Sequence, residues 1–260
     1  MDNIEFNVHK VEQIAPDTYR IDEQGIVNCY LAVGKDRALL IDTGCGLGNI
    51  KSVVEKITAL PVDVVLTHGH CDHAGGVGWY ESFFVHEADR NFVYGILSSC
   101  LAARTIVGKT VNKSNFTKLP FKSKPLKISN GHIFELGGRS ISVIHTPGHT
   151  RGSIVLLDYK YQIIFTGDHI NPFLLMCLPG CTSLKEWLTA GERILELSNG
   201  YTPYYGHGTG RQTVEQMEKT IDYVRDILAS KGNNTFFPKN INYPDNNGDI
   251  QIMYNSRKVI

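Results

Sequence analysis

His68-Gly69-His70-Cys71-Asp72-His73 is the stretch on which the reading of this chain turns. It follows, after Thr67, on Val62-Asp63-Val64-Val65-Leu66, a short and largely apolar run that predicts a strand. Imidazole and carboxylate are the ligands that suit zinc, iron and manganese. In a loop, alternate residues turn toward one point, so His68 and His70 can converge on one ion. Asp72 and His73 can then reach a neighbouring ion. Cys71 lies between ligands, but its side chain is expected to point away from His70, outside the metal shell.

Three further positions have the same setting. His149 stands in Thr146-Pro147-Gly148-His149-Thr150, just past a strand, where the glycine is expected to supply an unusual backbone conformation. Asp168 closes the strand Gln162–Phe165 in the run Thr-Gly-Asp. His207 follows the strand Tyr201–Tyr205 inside Gly206-His207-Gly208. Each lies at a strand end, where side chains from distant segments meet. Of the remaining histidines, His9, His86 and His132 read as surface or turn residues and His145 as a strand end.

Outward from these motifs, the N-terminal 45 residues read as short strands, among them Ile26–Val33 and Arg37–Ile41. A helix is expected over Leu47–Ala59, stopped by Pro61. Phe83–Val85 reads as a strand and Glu87 to about Val107 as a helix. Ile133–Leu136, Ser140–His145 and Ser153–Leu157 follow as strands, then helices at Leu184–Leu197 and Thr213–Leu228. Two strand-rich halves with helices suggest two packed sheets covered by helices. A single domain is expected over 1–230, with 88–130 as a substrate-side insertion or lid. The tail 231–260 has six Asn before Gly248 and only Asp249–Tyr254 reads as a strand.

Composition sets the outer bounds. The 26 basic and 26 acidic residues balance, and 42% of the chain is apolar, as in a globular protein. Zero net charge argues against a dedicated nucleic-acid binder. No run approaches the roughly 18 apolar residues of a membrane-spanning helix. The first residues lack the apolar core of a signal peptide, and six cysteines in so long a chain read as thiols. A cytoplasmic enzyme is the expectation; oligomeric state stays open.

His-x-His-x-Asp-His, then Gly-His, Gly-Asp and Gly-His in that order resembles the metallo-β-lactamase superfamily. Ile41-Asp42-Thr43-Gly44 matches its first motif, and the likeness covers about residues 15 to 225. The resemblance implies an α/β fold, a four-layer αββα sandwich of two mixed sheets, with two divalent metal ions at one edge. Zinc is expected, with iron and manganese also suited. His68, His70 and His149 would hold the first ion, and Asp72, His73 and His207 the second. Asp168 would bridge them, and a bridging hydroxide would be the nucleophile. Asp72 and Asp168 are the expected catalytic carboxylates. Asp42, and His169 beside the bridge, are expected just behind the ligands.

The bridging Asp and the run Thr146–Ile154 resemble the glyoxalase II-like branch and the superfamily's acyl-coenzyme A hydrolases. Asn171 stands where acyl-homoserine lactonases place a tyrosine, and the persulfide dioxygenases' loop signature is missing. An anionic thioester of the glutathione or coenzyme A type is therefore expected. Lactone or β-lactam hydrolysis, mononuclear-iron persulfide dioxygenation and phosphodiester cleavage are the alternatives. Between Arg90 and Phe134 lie eight Lys or Arg and no acid. Lys109, Lys113, Lys118 and Lys122 are expected to meet the substrate's charge. The apolar stretch Phe173–Pro179, with Phe173, Leu174 and Met176, is expected to take the acyl chain.

Overall fold

The computed structural model describes residues 4–6, 8–95, 122–230, 238–244 and 249–259. One sheet runs in chain order through β1 (Ile4–Phe6), β2 (His9–Ala15), β3 (Thr18–Glu23), β4 (Val27–Val33), β5 (Ala38–Ile41), β6 (Val62–Val65), β7 (Ser82–His86) and β8 (Lys124–Ile128). β1 to β5 pair antiparallel and β5 to β8 parallel. The second sheet contains β9 (Ile133–Glu135), β10 (Ser140–His145), β11 (Ile154–Asp158), β12 (Ile163–Gly167) and β14 (Thr202–Tyr205). Its strands are antiparallel except for the β12–β14 pair.

Strand periodicity explains how the layers stack. Along β4, Tyr30 and Ala32 join Ile141, Val143 and Phe165 between the sheets, whereas Cys29 and Leu31 face the other way. There they meet Ile50, Val53 and Val54 of helix α1 (Ile50–Ile57). β11 repeats the pattern: Ile154 and Leu156 lie between the sheets, and Val155 and Leu157 lie with Trp187, Ile194 and Ile221. Those last three belong to α4 (Leu184–Leu197) and α5 (Val214–Ala229). Strands buried on both faces read as near-continuous apolar runs, and these do apart from Asn28 in β4 and Asp158 at the end of β11. The result is the four-layer αββα sandwich. Two short helices, α2 (Cys71–Ala74) and α3 (Glu87–Gly95), complete the first half.

Helix ends follow local chemistry. Ser183 caps α4 through the Glu186 N–H, and Thr213 and Gln216 form a reciprocal capping box on α5. α1 starts three residues later than expected, because Asn49 caps it and the Leu47 N–H is taken by Glu23. The helix expected to reach Val107 is described only to Gly95. β8 falls inside the basic segment that the sequence left without structure. It is the sheet's edge strand, and exposed Lys124 and Lys127 are the kind of residue that blunts such an edge. No helix among the described residues is long and apolar enough to cross a membrane.

A third sheet corrects two expectations. β13 (Phe173–Met176) pairs parallel with β16 (Ile250–Tyr254), which pairs antiparallel with β15 (Lys239–Tyr243). The expected acyl-chain loop therefore begins as a strand. Leu174 and Met176 are buried in one cluster with Trp187, Ile250 and Ile252, which takes them out of a substrate pocket. Only Phe173 of the three is exposed. The tail also docks on the helical layer, where Lys185 N–H donates to the Val259 carbonyl.

Arg139, fully buried, ties the two large sheets together. Its guanidinium pairs with Asp158 at the end of β11 and donates to the Asp17 and Val33 carbonyls at 2.8 and 3.1 Å and to Thr18 Oγ1 at 2.7 Å. Removing one partner of a buried pair leaves an uncompensated charge. Arg139→Ala is therefore expected to lower unfolding free energy by about 3–5 kcal/mol in denaturant titrations.

Candidate metal centre

Asp42 follows β5, His68 and His70 follow β6, and Asp72 and His73 lie in α2. His149 sits between β10 and β11, Asp168 directly after β12, and His207 two residues past β14. β5 and β6 are parallel, as are β12 and β14, so these loops leave the sandwich at one edge. Residues far apart in the sequence are thereby gathered into two adjoining groups. His68, His70 and His149 form one; Asp72, His73, Asp168 and His207 form the other, each with ligand atoms within 4.8 Å of one another.

In the first group His70 Nδ1 lies 3.0 Å from His68 Nε2 and 2.8 Å from His149 Nε2. The outer nitrogens define the tautomers. His70 Nε2 donates to the Pro179 carbonyl at 3.0 Å and His149 Nδ1 to the Leu175 carbonyl at 2.9 Å. A carbonyl only accepts, so both inner nitrogens carry lone pairs when the rings are neutral. His68 Nδ1 lies 3.1 Å from Thr67 Oγ1. Imidazole lone pairs aimed at one point repel unless a cation lies among them. The donor set fits a metal ion.

The second group obeys the same logic. His73 Nδ1 donates to Asp42 Oδ2 at 2.8 Å and His207 Nδ1 to the Ile26 carbonyl at 2.6 Å. Their Nε2 atoms face Asp168, at 3.4 Å from Oδ1 for His73 and 2.8 Å from Oδ2 for His207. Asp168 Oδ2 is also 3.8 Å from His149 Nε2, so this carboxylate faces both groups. Asp72 Oδ2 lies 3.5 Å from His207 Nε2 and 3.8 Å from His73 Nε2. His73 Nε2 and Asp168 Oδ1 are buried without a hydrogen bond among the described residues. Orphaned atoms of this kind, turned to each other, are what a bound cation would satisfy.

Electrostatics separates the two halves. Burial holds His68 and His149 well below the usual imidazole range, and neighbouring imidazoles push the same way. Burial also pulls His73 and His207 down, but carboxylates outweigh it. Asp168, Asp42 and Asp72 hold His73 well above its usual range, and Asp168 and Asp72 hold His207 up at about 9. Burial pushes the Asp168 carboxyl up, yet His207 and His73 hold it well below the usual range.

Clamps behind the ligands fix this geometry. Asp42, in the left-handed region at φ 62°, accepts the Thr67 N–H at 2.7 Å and its hydroxyl at 2.8 Å besides the His73 ring. Asp89, which the sequence reading missed, accepts the Gly69 N–H, the Gly152 N–H and the Thr150 hydroxyl at 2.8, 2.8 and 2.6 Å. It thus joins the His68–His70 loop to the His149 loop from the first turn of α3. Its one sequence signal is an acid at the start of a helix. Glu23, fully buried, accepts the Cys45 and Leu47 N–H groups of the loop after Asp42. The His207 loop hangs on β3 and β4: Asn28 N–H donates to the Gly206 carbonyl at 2.7 Å and Arg20 to that of Thr209 at 2.6 Å. A Cβ on Gly206 would lie 2.4 Å from Asp168 Oδ1, so only glycine fits there.

The other expected residues fall differently. His169 makes no hydrogen bond to the seven ligands among the described residues; its ring stacks on Trp187 at 5.5 Å. It packs behind Gly148, where a Cβ would come within 2.4 Å of His169 Cε1. Close approach, not an unusual φ, is what demands glycine at 148. Cys71 belongs to neither group. Lys122 is exposed before β8, and Lys109, Lys113 and Lys118 lie outside the described residues.

A sandwich carrying two adjoining His/Asp groups at one edge is the architecture of a two-metal protein. The family described as the metallo-beta-lactamase superfamily matches residues 22–207, and the chain belongs to it. Acyl-coenzyme A thioesterase MBLAC2 of Gallus gallus is 28% identical over 187 residues, 65% of this chain and 67% of that protein. The metallo-beta-lactamase family protein TTHA1429 from Thermus thermophilus shares the fold at a TM-score of 0.60 and 21% identity, over 87% of this chain and 85% of that one. TTHA1623, solved in a di-iron-bound form, does so at 0.55 and 24%, over 75% and 93%.

Two outcomes follow for metal binding. Below about 9 His207 carries a proton that a cation must displace, and the raised His73 carries another. Affinity of this group should fall as pH drops, with release of about two protons at pH 7. Calorimetry in buffers of different ionisation heat measures that release. Asp89→Ala, which frees both loops, should weaken metal affinity by about 10–100-fold, read as metal content against buffered free zinc.

Proposed function

We propose that this chain is a two-metal hydrolase of the glyoxalase II-like kind, acting on an acyl thioester of an anionic thiol such as glutathione or coenzyme A. The observation that carries the reading is the position of Asp168, whose carboxylate faces both ligand groups. His68, His70 and His149 would hold one ion; Asp72, His73 and His207 would hold the other. Two neighbouring cations would need a shared anion to offset their repulsion, and Asp168 would supply it. Bound there, the ions supply Lewis acidity and lower the pKa of water toward neutrality. Zinc suits the donor set, as do iron and manganese.

The chain's own residues then divide the work. The Pro179, Leu175 and Ile26 carbonyls and Asp42 keep four ligand rings in the tautomer that faces the centre. Asp168 is nearly buried, whereas the Asp72 side chain is 29% exposed, which leaves it the more open carboxylate of the two toward a substrate. Asn171 is taken up in a turn, accepting the Phe173 N–H at 2.7 Å and donating to the Asp168 carbonyl at 3.4 Å. The name of the thioesterase relative supports the thioester as substrate.

The test is metal analysis joined to a hydrolysis screen. The metal-loaded protein is expected to hold two ions per chain and to prefer acyl-coenzyme A or acyl-glutathione over lactone, β-lactam and phosphodiester by about tenfold or more in kcat/KM. Asp168→Ala should lose metal and lower kcat/KM by about a hundredfold or more. Two retained ions in that variant would remove Asp168 from its shared role.

A further inference from the structure

A recess of about 260 Å³ opens where Asp89 clamps the loops of the first ligand group. Ala88 and Asp89 line it from α3, Arg151 from the loop after His149, Gly180 and Cys181 from the loop after β13, and Lys258 from the C-terminal turn Ser256–Lys258. Two of these residues adjoin the metal ligands' supports. Arg151 follows His149 by two positions, and Gly180 follows Pro179, whose carbonyl holds His70.

The charges in the recess are not balanced. Asp89 is committed to the Gly69, Thr150 and Gly152 donors. Lys258 Nζ donates to the Cys181 carbonyl at 3.0 Å, which leaves it two further N–H groups. The Arg151 guanidinium has no hydrogen-bond or ion-pair partner among the described residues, although its backbone is held on three sides. Its carbonyl accepts from His145 Nε2 at 2.9 Å, the Thr150 N–H donates to Ser153 Oγ, and the Gly152 N–H donates to Asp89. Lys258 is fixed likewise: its N–H donates to the Asn255 carbonyl, and Val259 beside it is buried and bonded to Lys185. Two exposed cations from distant parts of the chain thus line one recess on ordered backbone with uncommitted donors.

We propose that Arg151 and Lys258 form an anion subsite that binds a carboxylate or phosphate on the carrier end of the substrate. The inference rests on the hydrolase reading above, and it gives the C-terminal segment a part in recognition. The planar guanidinium fork matches either oxyanion in a bidentate manner, and the ammonium adds a point charge. A substrate whose acyl carbon lies at the ligand groups would pass over the Pro179–Gly180 backbone to place its anion here.

Calorimetry on the metal-loaded full chain tests this with two probes that lack a reactive thiol. S-methylglutathione represents the carboxylate carrier and adenosine 3′,5′-bisphosphate the phosphate carrier. One of them is expected to bind the parent, and Arg151→Gln with Lys258→Gln to weaken it about tenfold or more, with metal content unchanged. In kinetics, KM for the matching thioester should rise by a similar factor while kcat stays within about twofold. Arg151→Lys should recover part of the loss, and raising salt should weaken probe binding to the parent. Should the double variant not fold, Arg151→Lys and the salt series carry the test. Equal affinity in parent and variants, or no binding of either probe, overturns the subsite. Probe binding through these residues without thioester hydrolysis would overturn the thioesterase reading alone. Hydrolysis with an unchanged KM would do the opposite.

Discussion

The carboxylate of Asp168 faces two sets of imidazoles at once, and the rest of the architecture serves to keep it there. Its oxygens lie 2.8 to 3.8 Å from nitrogens of His73, His149 and His207, which come from helix α2 and two separate loops. A buried carboxylate among buried imidazoles persists only when charge and hydrogen bonding are matched. Gly206 makes the approach possible from one side, because any side chain there would occupy the space of Asp168 and His73. The parallel pairing of β12 with β14 makes it possible from below, since it delivers Asp168 and His207 to the same edge.

Around that carboxylate, each loop is held by a buried acceptor that cannot turn away. Asp42 binds Thr67 and His73, Asp89 binds Gly69, Thr150 and Gly152, and Glu23 binds Cys45 and Leu47. These contacts are charge-assisted and sit in low dielectric, where losing one partner costs more than the bond contributes. Accurate placement of a centre built from loops therefore comes from acids behind it as much as from the sheets beneath it. The two sheets are themselves joined by such a device, the Arg139–Asp158 pair with its backbone carbonyls.

The C-terminal segment shows how far local pattern can be from final position. β16 pairs with β13, and the loop after β13 supplies the Pro179 carbonyl that orients His70, while β13 itself supplies that of Leu175 to His149. The tail thus braces the ligands of the first group without contributing one. It also brings Lys258 to the recess that Arg151 borders.

The residues of the two candidate groups and their order were legible in the sequence, because His and Asp recur at strand ends in an order that resembles the superfamily's motifs. The two-sheet sandwich was legible as well, since strands buried on both faces are apolar without alternation. What tertiary structure alone decided has a common cause. The tautomer of each ring depends on a carbonyl or carboxylate elsewhere in the chain: Pro179 for His70, Leu175 for His149, Ile26 for His207, Asp42 for His73. Asp89 looked like an ordinary helix-start acid, β8 and β15 carried too many polar residues to be read as strands, and Leu174 and Met176 resembled a pocket until β16 covered them. Except for β15, whose partner β16 is the next strand, the deciding partner lies far along the chain, and no periodicity in a local window records it.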